Sequence, residues 1–205
     1  LRHSEAIREI QKGYLDAGSQ VLYTPTFGAN RVKLEQHRIF NQVKDYNLRL
    51  AALSRETAAG RALVAGDIAP TGEFLYPLGE LQFEELVEVY REQAAALEEA
   101  GVDLFVIETM MTLPEARAAV LAVKSVSRKP VFVSFTCDEN GRSLTGTDVC
   151  AALAVLQGMG VDAFGLNCSA GPAEMLTQLR RLTPYAEIPL IAKPNAGVPR
   201  MVDGE

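Results

Sequence analysis

Short apolar runs alternate with longer stretches in which apolar positions recur every three or four residues, along nearly the whole chain. The short runs cover 21–27, 62–68, 103–109, 131–137, 163–168 and 190–192 and are rich in Val, Ile, Leu and Phe. Runs without strict alternation predict strands covered on both faces, as in a parallel sheet. Between them the period changes. Over 83–100, Leu86, Val89, Tyr90, Ala94 and Leu97 recur at helical spacing, which predicts an amphipathic helix.

The punctuation agrees. Leu113-Pro114-Glu115 places a proline where a helix would begin, a position at which its missing N–H costs nothing. Gly18, Gly101 and Gly160 each stand between a helical stretch and a strand, where glycine takes the left-handed turn that ends a helix.

Six strand-then-helix units without a long linker predict one parallel-stranded α/β domain, either a closed barrel or a doubly wound sheet. No GxGxxG follows any strand, and polar residues stand at the C-terminal ends of nearly all of them, which favours the barrel. A (β/α)8 TIM barrel has eight units and ~250 residues. Residues 1–205 open on a helix and stop soon after the sixth strand, so the expectation is a single barrel domain, incomplete at both ends.

Composition narrows the class. Hydrophobic residues make up 48% and charged residues 22%, as in soluble globular domains. A net charge of -6 argues against an electrostatic nucleic-acid binder. No apolar run is long enough to span a bilayer, and 1–7 lacks the layout of a signal peptide, so a soluble, cytoplasmic protein is expected. The three cysteines, Cys137, Cys150 and Cys168, form no CxxC pair and do not resemble a disulfide framework. Cys150, within an apolar helical stretch, reads as a packed thiol.

At the predicted strand ends stand Thr24, Thr26 and Phe27, then Asp67, Glu108 and Thr109, Thr136 and Asp138, Asn167 and Cys168, and finally Lys193 and Asn195. Carboxylates, amides and a thiol converging on one rim suit a small-molecule site. Glu108 ends the run Leu104-Phe105-Val106-Ile107, where a carboxylate is costly to desolvate without a partner. A ligand amino group or a nearby lysine or arginine would serve equally. Asp67 could cap the backbone of its own turn. Cys168 could be a packed thiol, a nucleophile or a metal ligand. The two histidines, His3 and His37, fall in stretches expected to be helical and away from the rim, which argues against a Cys–His pair. Lys193 opens an aldolase reading, since a lysine of depressed pKa forms Schiff bases.

Six segments taken together resemble the homocysteine S-methyltransferase family, in particular the homocysteine-binding domain of cobalamin-dependent methionine synthases. They are 24–30 (TPTFGAN), 66–72 (GDIAPTG), 107–109 (IET), 138–147 (DENGRSLTGT), 165–169 (GLNCS) and 193–197 (KPNAG), in the family's order. The resemblance implies an enzyme that moves a methyl group onto the sulfur of homocysteine. It implies zinc held by three cysteine thiolates, with the substrate sulfur as fourth ligand and methylcobalamin as the donor. It also implies folate-binding and cobalamin-binding domains downstream. A cobalamin-independent relative using a sulfonium or ammonium donor is the alternative, and a zinc-free binding module a further one.

Carried over by position, Cys168 matches the first zinc cysteine and Asn195 an asparagine beside the metal, both counted as catalytic. Glu108 matches the carboxylate that holds the homocysteine amino group. Asp67, Thr26, Phe27 and Asn167 match substrate-side rim positions. Lys193 stands where the family uses no Schiff base. The chain departs from the pattern at Pro25, Ala69 and Cys137, where asparagine, glycine and phenylalanine are usual. The family's other two zinc cysteines form an adjacent pair near a final strand, which would fall beyond Glu205.

Overall fold

The computed structural model describes residues 3–197. Its six strands are β1 (Val21–Tyr23), β2 (Leu63–Ile68), β3 (Leu104–Met110), β4 (Val131–Phe135), β5 (Ala163–Asn167) and β6 (Leu190–Lys193). All are parallel and neighbour one another in chain order, β1-β2-β3-β4-β5-β6. The order never reverses, so the sheet lacks the switch point of a doubly wound fold and has the strand sequence of a barrel.

Between the strands run α1 (Ser4–Asp16), α2 (Arg31–Glu35), α3 (Val43–Ala58), α4 (Phe83–Glu99), α5 (Leu113–Val126), α6 (Val149–Gly158) and α7 (Pro172–Leu182), where α1 precedes β1. Local chemistry starts them where the sequence indicates. Gln82 and Glu85 form a reciprocal capping box on α4, Thr112 caps α5 with Pro114 in its first turn, and Asp148 caps α6. Gly101 and Gly160 take φ of 75° and 77° before β3 and β5, as the helix-glycine-strand pattern predicts.

Strand alternation divides the side chains. Leu22, Val64, Ile68, Phe105, Ile107, Val133, Phe135, Phe164 and Leu166 face the helices and join the main core with Leu86, Tyr90 and Leu97 of α4. Ala65, Leu104 and Val106 form a smaller cluster on the other face, with Val21, Tyr23 and Phe132 packed against it. That second face is the concave interior. Six flat strands at ~4.8 Å spacing would put β1 and β6 roughly 24 Å apart. Lys193 Nζ of β6 nevertheless lies 4.3 Å from the centre of the Tyr23 ring in β1, so the sheet is curled far round toward closure.

Two strands end earlier than the apolar pattern suggests. The ladder of β1 stops at Tyr23 rather than at residue 27: Thr24 N–H still donates to the Ala65 carbonyl at 2.9 Å, but Thr26 N–H, the next donor in line, turns back to the Thr24 carbonyl at 2.8 Å. Side-chain hydroxyls take over: Asp67 N–H donates to Thr24 Oγ1 at 3.0 Å, and Thr26 Oγ1 donates to the Asp67 carbonyl at 2.7 Å. β4 likewise stops at Phe135, two residues short of Cys137.

Candidate functional site at the barrel rim

The C-terminal ends of β1, β2, β3 and β6 bring Tyr23, Asp67, Glu108 and Lys193 together around one cavity. Alternation aims them inward: Ala65 and Asp67 share a face, as do Leu104, Val106 and Glu108. Between Ile107 and Met110 the pairing of β3 with β4 shifts register, so Glu108 and Thr109 sit on an irregularity. Such bulges commonly re-aim side chains beside sites.

The Glu108 side chain keeps 13% of its exposure and pairs with Lys193, at 37%. Burial works against the Lys193 charge, but the hydrogen bond and charge of Glu108, with Tyr23 and Asp67 nearby, outweigh it, so the ammonium pKa is raised. A Schiff-base lysine needs the opposite shift, which weighs against the aldolase reading. Asp67 is 4% exposed, and its Oδ1 is buried without a hydrogen-bond partner. It does not cap its own turn through that oxygen. Desolvation first, and then the Glu108 charge, push its pKa well up, with Lys193 pulling the other way. The interior therefore presents one carboxylate already paired and a second whose buried oxygen lacks a donor.

Cys168 stands two strands from Glu108, at the end of β5. It is exposed, at φ 58°, and is followed by Ser169 at φ 59°. Thr109, past Glu108, has φ 59°. Left-handed backbone at three non-glycine residues costs about 1–3 kcal/mol each, and such conformations gather at functional sites. Asn167 holds two of them. It is 3% exposed; its Oδ1 accepts from Thr109 N–H at 3.0 Å, while its Nδ2 donates to Thr109 Oγ1 at 2.7 Å and lies 3.2 Å from Cys168 Sγ. Asn195 sits alongside, with its N–H donating to the Ala170 carbonyl at 3.0 Å.

The other rim residues divide. Thr26 is fully buried and its hydroxyl is committed to the Asp67 carbonyl, while Phe27 is 45% exposed. Cys150 packs on α6 against the core, as read from the sequence. His3 precedes α1 and His37 lies in the turn after α2, so neither is within a helix. Sequence reasoning passed over Tyr23, whose ring lies under Lys193. The alternation Val21, Tyr23 on the concave face could have found it.

Among the described residues, no group of three or more His, Cys, Asp or Glu side chains could hold a metal ion. Cys168 supplies one thiol, so the described residues alone do not make a zinc site. No helix among them is long and apolar enough to cross a membrane.

Comparisons with known proteins bear on the family and the fold. The profile of one family, homocysteine S-methyltransferase, matches residues 1–205. The chain is 34% identical over 206 residues to the methionine synthase of Mycobacterium leprae (strain TN) and 32% identical to that of Mycobacterium tuberculosis (strain ATCC 25618 / H37Rv), in each case over 95% of this chain. It spans only 17% of each of those proteins. Among solved structures, the metallated form of the homocysteine methyltransferase MmuM from Escherichia coli superposes with a TM-score of 0.83 at 24% identity, over 96% of this chain and 74% of that one.

Proposed function

We propose that this chain, which belongs to the homocysteine S-methyltransferase family, holds homocysteine in the mouth of its barrel as the methyl acceptor of a methionine synthase-type enzyme. The observation that carries the reading is the largely shielded carboxylate of Glu108, facing buried Asp67 across one cavity, with exposed Cys168 on the same rim. Glu108 receives the substrate ammonium group in exchange for Lys193, and Asp67 adds negative potential behind it. Asn167 fixes the Cys168 turn through its bonds to Thr109. Thr26 and Phe27 close the β1 side, with Thr26 acting through the backbone of Asp67 and Phe27 offering an exposed ring. Asn195 stands beside the Cys168 loop.

Cys168 is read as one of the three thiolates that the family resemblance assigns to zinc. Bound zinc would supply the deprotonation of the substrate thiol. The donor is read as methylcobalamin, with folate-binding and cobalamin-binding domains elsewhere in the protein. The far greater length of the mycobacterial methionine synthases supports this.

The test is methionine formation by the full-length protein and its Glu108→Gln variant, with methylcobalamin or a sulfonium compound as donor. Removing a charged hydrogen bond worth about 1.5–3 kcal/mol should raise the homocysteine KM by about 10- to 150-fold. An unchanged KM would take Glu108 out of substrate binding. Turnover with the sulfonium donor alone would move the protein to the cobalamin-independent relatives. No methionine from any donor would favour a binding module.

A further inference from the structure

Cys137 occupies a position where the family resemblance implies phenylalanine, and nothing in the proposed methyl transfer uses it. Its placement is specific. The β4–β5 ladder closes with Phe135 paired to Leu166, and its register continued by two residues would set Cys137 opposite Cys168. The backbone keeps strand-like bonding on the outer side of each segment: Thr136 N–H donates to the Met110 carbonyl at 3.1 Å, and Cys168 N–H to the Lys193 carbonyl at 3.2 Å. The hydroxyls of Thr136 and Ser169 touch across the gap. Both cysteines border the same narrow recess with Leu166, Met175 and Gln178. Continued at the parallel-strand spacing of about 4.8 Å, that register falls within the roughly 4.4–6.8 Å between Cα atoms that a disulfide spans.

We infer that Cys137 and Cys168 form a reversible disulfide that withdraws Cys168 from the rim under oxidising conditions. Cys168 is exposed and meets the oxidant first, and Cys137, half-buried behind it, resolves the product. With hydrogen peroxide, the Cys168 sulfur attacks one peroxide oxygen and the O–O bond breaks. Cys168 becomes a sulfenic acid, and the departing hydroxide leaves as water with the thiol proton. The Cys137 sulfur then attacks the Cys168 sulfur, and the S–O bond breaks. The hydroxyl group leaves as a second water, carrying the Cys137 proton. Two thiols are oxidised by two electrons and one peroxide is reduced to two waters. The cross-link itself is independent of the proposed function. Only its consequence, loss of a thiolate needed for methyl transfer, rests on that reading.

The experiment is peptide mapping of full-length protein after hydrogen peroxide, both as isolated and after treatment with a chelator. Trypsin releases Cys137 in peptide 129–142, while Cys150 and Cys168 share peptide 143–180, so the Cys150→Ser variant identifies the partner. In that variant the two peptides should appear joined, lighter by two hydrogens than the pair, and separate after dithiothreitol. The link should be absent from Cys137→Ser, whose Cys168 should progress to sulfinic acid. The inference is overturned if Cys168 pairs with a cysteine outside residues 1–205, or over-oxidises without a link in both preparations. Methionine formation by the reduced protein, measured in parallel, separates that failure from failure of the functional reading. With both sound, oxidation should abolish turnover, and dithiothreitol should restore it in wild type but not in Cys137→Ser.

Discussion

Asp67 shows what burial does to a single side chain in this site. Its carboxyl is 4% exposed, carries a partnerless oxygen and faces Glu108, so the neutral form is favoured well above the ordinary carboxylate range. Lys193 relieves the cost only in part. A raised native pKa means that Asp67's contribution to stability is intact below the unfolded value of about 3.9 and is lost as pH rises through the native value. Asp67→Asn keeps the shape and removes the charge. Its melting temperature should therefore exceed that of wild type at pH 8, with the difference shrinking toward pH 4. A constant difference across that range in thermal melts would show that Asp67 does not titrate differently in the fold. The sequence placed Asp67 at a strand end but left a turn cap open. The cost of its buried oxygen emerges only once the sheet curls and brings Glu108 opposite it.

Among the elements, the strand centres were legible because each is an uninterrupted apolar run, and the helices because their spacing and caps agree. The strand ends were not. Hydropathy carries 21–27 through Thr24 and Thr26, yet after the Thr24 N–H bond to the Ala65 carbonyl these residues hold β2 through their hydroxyls. The left-handed turns at Thr109, Cys168 and Ser169 left no glycine to betray them; Asn167 of β5 holds the first of them by bonding Thr109 across the sheet from β3.

Two element contacts make separate predictions. A Cβ added at Gly165 in β5 would run into the backbone of Ile191 in β6, whereas one at Gly66 would meet Leu97 Cδ1 at 3.2 Å and Val102 Cγ2 at 3.3 Å. Backbone yields less readily than side-chain ends. Gly165→Ala should cost about 1–3 kcal/mol in urea denaturation, and Gly66→Ala clearly less. The reverse ranking would contradict the close approach of β5 and β6. The loop after β2 is anchored differently. Buried Glu115 of α5 accepts from Thr71 N–H, Thr71 Oγ1 and Tyr90 OH through one oxygen, each at 2.8 Å. Glu115→Ala strands three donors and should cost at least about 2 kcal/mol, while Glu115→Gln, which retains an acceptor, should cost less.

Over the whole molecule, chain-order pairing leaves β1 and β6 as the two edges of the sheet and the curl turns their inner faces toward each other, which Lys193 records by reaching Glu108 of β3 and the Tyr23 ring of β1 from β6. One side chain thus holds the curl together and occupies the carboxylate assigned to the substrate. These two roles respond differently to Lys193→Met, which keeps the aliphatic stem and removes the charge. Without ligand, the variant should melt below wild type, because Glu108 loses its partner in a site it shares with Asp67. On the proposed function, homocysteine supplies a replacement ammonium, and a ligand at 100 times its Kd stabilises by about 2.7 kcal/mol. Its upward shift of the melting temperature should therefore persist in Lys193→Met at least as large as in wild type, and vanish in Glu108→Gln. If the shift survives in Glu108→Gln and is lost in Lys193→Met, the lysine is the group that recognises the ligand, and Glu108 serves only to hold it charged.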